Sequence, residues 1–196
     1  MHNLDQVSRI LSSAFIGDPF MQWLFPEKEH QNNVQRWWEY IAHASLKNGN
    51  SQFDIDEERT TSSIWEKPKF ETEKKSDDEG LTTFVNFIEP LVGDRLPIVL
   101  QALHEVSLEH PEEPHWYLQA VGTRPNMQGK GKGAALLVPV LDICDATGLG
   151  AYLESSNPRN VSFYYRLGFE IRKELLLADG QAQLTCMWRR PRPTEC

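Results

Sequence analysis

A chain of 196 residues with 40% hydrophobic content can bury a core of its own, and a formal net charge of −8 excludes nucleic acid as the main ligand, since phosphate backbones need a basic face. No stretch approaches the ~20 apolar residues of a membrane span. Three cysteines, with an N-terminal MHNLDQVSRI that lacks the basic-then-apolar form of a secretory signal, predict a reducing, cytoplasmic setting without disulfides.

Residues 4–15 place Leu4, Val7, Ile10, Leu11, Ala14 and Phe15 on one helical face, and Gly17-Asp18-Pro19 breaks that helix. Residues 30–47 read as a second amphipathic helix carrying Val34, Trp37, Trp38, Ile41 and Leu46, ended by Asn48-Gly49. Residues 51–56 and 60–65 read as strands joined by Glu57-Glu58, a hairpin. The polar run 68–80 is expected as a mobile loop, and 81–110 as helix with a break from Gly93 to Pro97. Strand 115–123, helix 133–147, strand 150–155, helix 158–167 and strands 169–177 and 182–189 follow. Cys144 and Cys186 are expected as core thiols and Cys196 as a free thiol on the tail. Arg189, Arg190 and Arg192, interrupted by prolines, read as a solvated tail. One domain accounts for 1–196: an N-terminal half over 1–114, a core over 115–190 and a tail over 191–196.

The stretch Trp116 to Leu137, WYLQAVGTRPNMQGKGKGAALL, carries the chemistry. An apolar strand runs into a turn with Gly129, Gly131 and Gly133, with Lys130 and Lys132 between them, and then into a helix. Glycines leave backbone N–H groups uncovered, and a helix start adds unpaired N–H groups and the positive dipole end, so the turn suits a phosphate or pyrophosphate. No Asp or Glu lies between Glu113 and Asp142, whereas Arg124, Lys130 and Lys132 do. A P-loop needs a hydroxyl after its lysine, but Lys130 is followed by Gly131. The dinucleotide fingerprint fails because the glycines are spaced G-x-G-x-G. The six histidines show no metal-ligand spacing, and no metal is expected.

Gln128, Gly131 and Gly133 meet Q-x-x-G-x-G, which resembles the acetyl-coenzyme A signature of the GNAT acetyltransferase superfamily. Downstream, Tyr164, Leu167, Gly168 and Phe169 match that family's Tyr-x-x-Leu-Gly-Phe ending. Leu153-Glu154, Asn157-Pro158-Arg159-Asn160 and Cys186-Met187-Trp188 are similar to its puromycin N-acetyltransferase-like branch, and Asp18-Pro19, Trp23 and Pro26 to an opening seen in related members.

The resemblance implies a mixed α/β fold: a central, mostly antiparallel sheet whose fourth and fifth strands splay apart, flanked by helices. It implies acetyl-coenzyme A as cosubstrate, with the pantetheine arm paired to the backbone of Val121 and Thr123. The pyrophosphate would rest on the N–H groups of Gln128, Gly129, Lys130, Gly131, Lys132, Gly133 and Ala134. It implies direct transfer to the amine of a small molecule, with protein acetylation or a non-catalytic acetyl-coenzyme A sensor as alternatives, in a monomer or homodimer. Tyr164, not the adjacent Tyr165, aligns with the tyrosine that serves the leaving thiolate. Glu154 either takes the ammonium proton, holds the cation, or faces solvent; Glu105, Glu109, Glu112 and Glu113 are other carboxylates for that proton. Asn157 lies near the coenzyme, caps a helix before Pro158, or does both. Phe20, Trp23, Phe25, Trp37, Trp38 and Trp65 are candidates for an aromatic acceptor lining, with helical spacing favouring core for Trp37 and Trp38.

Overall fold

The computed structural model describes residues 4–26, 29–70 and 78–192. Among the described residues, six strands form one sheet: β1 (Ser51–Ile55), β2 (Thr61–Glu66), β3 (His115–Thr123), β4 (Gly150–Ser155), β5 (Glu170–Leu177) and β6 (Ala182–Arg189), in the order β1-β2-β3-β4-β6-β5. Only β3 and β4 are parallel; the other neighbours are antiparallel. This is the mixed, mostly antiparallel sheet implied by the sequence.

Helices cover both faces. α1 (Leu4–Phe15), α2 (Pro19–Leu24), α3 (His30–Lys47), α4 (Asp78–Val92) and α5 (Leu96–Ser107) share one apolar cluster with Ile64, Ala120, Tyr152 and Cys186. α6 (Lys132–Thr147) and α7 (Val161–Arg166) share the other with Trp65, Trp116, Leu118, Leu153 and Met187. Among the described residues, no helix is long and apolar enough to cross a membrane.

Three elements differ from expectation. Asp18 ends α1 but also starts α2, which the periodicity did not show. Its Oδ1 accepts the N–H groups of Phe20 and Met21 at 3.0 and 3.2 Å, and Pro19 fits a first turn that needs no N–H. Residues 78–80, expected in the loop, begin α4; the loop's 71–77 lie outside the described residues. Residues 158–160 form a 3₁₀ turn ahead of α7. Cys144 and Cys186 are buried free thiols, while Cys196 lies outside the described residues.

Arg189 corrects the reading of the tail as solvated. Its side chain is 3% exposed, and its guanidinium grips both carboxylate oxygens of Asp145 at 2.7 Å while Nε donates to the Leu167 carbonyl at 2.9 Å. The Arg192 N–H adds a bond to Asp145 at 2.7 Å. The basic end of β6 is thereby bolted to α6.

β3 holds an irregularity. Ile64 faces Ala120 and Trp65 faces Leu118, so Gln119 has no partner on β2. Gln119 and Ala120 both turn to the face of α1 and α3: Ser45 of α3 donates to the Gln119 side chain at 2.7 Å, and Ala120 joins that face's core. Beyond the bulge, Gly122 lies flat under α1. A Cβ there would sit 2.7 Å from the Cβ of Ala14 and 3.1 Å from Leu11 Cδ2. Gly122→Ala is expected to cost about 1–3 kcal/mol by forcing helix and strand apart, readable as a lower denaturant midpoint.

Candidate active site

The parallel pairing of β3 and β4 covers only His115–Gly150, Trp116–Ala151 and Tyr117–Tyr152. Past Tyr117 the strands part, although β3 runs on to Thr123 and β4 to Ser155. These splayed strands are the third and fourth of this chain rather than the fourth and fifth. The gap follows β3 for six residues, about 20 Å at strand rise. Arg124 N–H donates to the Thr60 carbonyl at 2.8 Å, so by antiparallel alternation the backbone groups of Thr123 and Val121 point away from β2, into the gap. The Gln128 amide takes the Thr123 carbonyl at 3.0 Å. Gln128 therefore braces the loop against the strand end, and the Thr123 N–H and both Val121 groups are the edge left open there.

The glycine turn forms the mouth of this gap. Gly129 and Gly131 have φ of +74° and +76°, which only glycine adopts without strain. Gly131 caps α6, whose first internal bond is Ala135 N–H to the Gly131 carbonyl at 3.0 Å. The N–H groups of Lys132, Gly133 and Ala134 are thus unused by the helix. A cleft of about 700 Å³ joins Val121 and Thr123 to Gln128, Gly129, Gly131, Gly133 and Ala134, with Asn157 and Tyr164 on its far wall.

The side chain of Lys132 departs from expectation. Its Nζ is 3.0 Å from Asp56 Oδ2 and 2.8 Å from Glu58 Oε1, on the β1–β2 turn. Burial opposes charge on Asp56, but the Thr61 N–H, Lys132 and Thr60 together pull its carboxyl down to about 2. The ammonium is neutralised by the hairpin, so Lys132 contributes backbone N–H and anchorage to the cradle. Lys130 is exposed, with Nζ 3.5 Å from Met127 Sδ, and keeps its charge available.

On the far wall, Tyr164 is buried beneath the cleft while Tyr165 is 50% exposed. Burial, and then the carboxylate of Asp18, push the Tyr164 phenol well above its ordinary value, so it stays protonated. Among the described residues nothing hydrogen-bonds its hydroxyl. Asp18 is itself buried, which raises its carboxyl, and Ser156 donates to its Oδ2 at 2.5 Å. Asn157 acts as the cap: its side chain accepts the Arg159 N–H at 3.1 Å, and it also lines the cleft.

Glu154 does not face solvent. It lies two residues beyond the last β3–β4 pair, on the face of α5, with its side chain 7% exposed. Tyr117 donates to Oε2 at 2.9 Å, and His110 Nε2 stands 3.0 Å from Oε1 without the alignment of a hydrogen bond. Tyr152 lies alongside, its buried hydroxyl unpartnered among the described residues. The proposed aromatic lining is corrected: Phe20, Trp23, Phe25, Trp37 and Trp38 are core residues, and Trp65 lies on the opposite face with α6. None lines the cleft, because the helices on this face need large side chains to fill their own interior. His110 escaped the sequence reading, which weighed only the carboxylates of its segment.

The chain was compared with known proteins. The acetyltransferase (GNAT) family matches residues 18–169. An uncharacterized N-acetyltransferase of Schizosaccharomyces pombe is 36% identical over 119 residues, which cover 60% of this chain and 45% of the relative. The match thus spans under half of that relative's length. Among solved structures, one from Corynebacterium glutamicum, described as histone acetyltransferase HPA2 and related acetyltransferase, superposes with a TM-score of 0.69 at 20% identity. It covers 100% of this chain and 95% of that one. Arylalkylamine N-acetyltransferase 2 from Aedes aegypti gives 0.67 at 14% identity, covering 96% and 94%. At such identities these two structures speak for the fold, which they share across its whole length. With the splayed strands, the glycine cradle and the family match over most of the chain in agreement, this protein belongs to the acetyltransferase (GNAT) family.

Proposed function

We propose that this chain is an N-acetyltransferase that passes the acetyl group of acetyl-coenzyme A directly to the amine of a small molecule, both substrates being bound together. The observation that carries the reading is the continuity of one cleft: an open strand edge at Val121 and Thr123, a cradle at Gln128–Ala134, and a protonated phenol at Tyr164. These residues suit the coenzyme's two polar parts. The strand edge offers an amide arm the hydrogen bonds that β4 does not, and the unused N–H groups at the start of α6, with Lys130, suit a pyrophosphate. When bound, acetyl-coenzyme A supplies an acetyl group activated as a thioester. Tyr164 donates a hydrogen bond or proton to the departing sulfur. Burial, foremost, and then the Asp18 carboxylate held by Ser156 keep that phenol protonated.

A small acceptor and the puromycin N-acetyltransferase-like branch are favoured by the branch-like residues Leu153-Glu154, Asn157–Asn160 and Cys186–Trp188. The catalytic unit is the whole chain, since α1 to α5 roof the same sheet that carries the cleft. A cytoplasmic setting agrees with the two buried thiols.

The test is free-thiol release when the protein is incubated with acetyl-coenzyme A and a panel of small amines and peptides. Release with a small amine supports the reading; release with peptides alone, or with none, overturns it. The coenzyme site is tested separately by melting. Acetyl-coenzyme A is expected to raise the melting temperature, because a ligand bound to the native state alone stabilises it. Gly131→Val should abolish the shift: the space beside Gly131 is open, so the damage comes from a β-branched residue forced to positive φ, which re-aims the cradle. A normal shift in that variant would remove the cradle from the site.

A further inference from the structure

We infer that His110 is the group that takes the proton from the acceptor ammonium, with Glu154 as the carboxylate that positions it. The inference rests on the acetyltransferase reading above. Glu154 is buried in the splayed half of the β3–β4 pair, two residues beyond the last pairing. It is poorly placed to exchange protons itself: Oε2 is held by the Tyr117 hydroxyl, and Oε1 is covered by His110. Burial, and then the Glu154 charge, hold the Tyr117 phenol protonated, so it remains a donor to that carboxylate.

His110 is the way out of this buried cluster. Its side chain is 35% exposed, and its ring is wedged at 4.6 Å from the Tyr117 ring and 5.2 Å from that of Tyr152, which fixes its plane. Nε2 meets Glu154, and among the described residues nothing engages Nδ1. A carboxylate behind one nitrogen stabilises the imidazolium that forms when the other takes a proton. Of all side chains, imidazole titrates nearest neutral pH, the requirement for a general base. The other titratable groups of this neighbourhood are Tyr152, Cys186, His115, and Glu109 with its partner Lys173.

The step balances. The acceptor ammonium gives one proton to His110 Nδ1, directly or through one water. The neutral nitrogen forms its bond to the acetyl carbon as the carbon–sulfur bond breaks. Tyr164 protonates the sulfur and regains a proton from the new amide nitrogen. His110 releases its proton to solvent, so one proton is produced per amide.

The experiment measures thiol release by the full chain against pH, with an acceptor wild type acetylates and with an aromatic amine that is neutral at assay pH. His110→Gln is expected to lower kcat/KM for the basic amine by roughly 10²–10³-fold at neutral pH and to remove the enzyme's acidic limb. It should leave the neutral amine nearly unaffected and keep the acetyl-coenzyme A melting shift. Free imidazole should restore part of the activity of His110→Ala. Glu154→Gln should lower kcat/KM for the basic amine while sparing the neutral one, since the ring loses the carboxylate that positions it. A His110→Gln profile that keeps the wild-type limb overturns the inference, as does an equal loss with both amines. A lost melting shift with no imidazole rescue in His110→Ala would also overturn it, by making His110 a folding residue. Wild type inactive with every amine would instead refute the acetyltransferase reading itself.

Discussion

Tyr164→Phe is expected to lower turnover roughly ten- to thousandfold while leaving coenzyme affinity and stability close to wild type. The substitution removes one hydroxyl and keeps the ring, which packs edge-on against Phe163 and Phe169 with centroids 5.0 and 6.0 Å away. Among the described residues no hydrogen bond is lost with it, so little stability goes. The range lies below that of the strongest acid catalysts because a thiolate leaves readily even without a proton. Since burial and Asp18 raise this phenol above its ordinary value of about 10, its deprotonation should draw no basic limb in the rate–pH profile below that pH. Tyr165→Phe is the control, because Tyr165 is half exposed and outside the cleft. Steady-state thiol release and the melting shift decide the matter together. Two variants that behave alike, or a larger loss in Tyr165→Phe, would remove Tyr164 from the chemistry.

Asp145→Ala should be the most destabilising of these substitutions, at about 3–5 kcal/mol, because it strands the buried guanidinium of Arg189 without its counter-ion. In a chain of this size that lowers the melting temperature on the order of 10 °C. Arg189, foremost, holds the Asp145 carboxyl below its ordinary value of about 3.9. A carboxyl depressed in the folded state stabilises the fold above its unfolded pKa, and that contribution is lost as the pH falls through the folded value. Wild type should therefore lose stability in acid more steeply than Asp145→Ala, the two stability curves converging as the pH falls through the folded value of that carboxyl. Curves that stay parallel down to that pH would show that the pair contributes no net electrostatic stability. Asp145→Leu with Arg189→Met, which removes both charges, should regain much of the loss.

The contrast between these two sites shows what can be read from a chain of residues. β3, its glycine turn and α6 were legible because strand, turn and helix follow one another, and each has a local period or a local steric demand. Tyr164 over Tyr165 came from the resemblance to the Tyr-x-x-Leu-Gly-Phe ending, since helix geometry alone says only that the two neighbours point different ways. The partners of Lys132 were not, because Asp56 and Glu58 lie 76 and 74 residues away and only the sheet brings them together. Arg189 resembled a tail residue by its neighbours, and only Asp145 on α6, 44 residues earlier, makes it a buried one. His110 follows a helix end and carries no pattern; its importance comes from Glu154 and two tyrosine rings on separate strands. The aromatic lining failed because apolar composition cannot distinguish a filled interior from an open groove.

The bulge at Gln119 has a bearing on how this strand can change in length. Ile64 and Trp65 are adjacent on β2, yet their partners Ala120 and Leu118 are separated by Gln119, which is therefore a surplus residue. Deleting it would let the ladder run on without a shift: Ala120 would still face Ile64, and Val121 and Thr123 would still turn their backbone groups toward the gap. The loss would be the Ser45 bond and the local bend. A one-residue deletion between Ala120 and Thr123 has no such buffer and turns every side chain beyond it to the other face. Natural gaps of one residue in this strand should therefore fall at Gln119 or in the loops at either end.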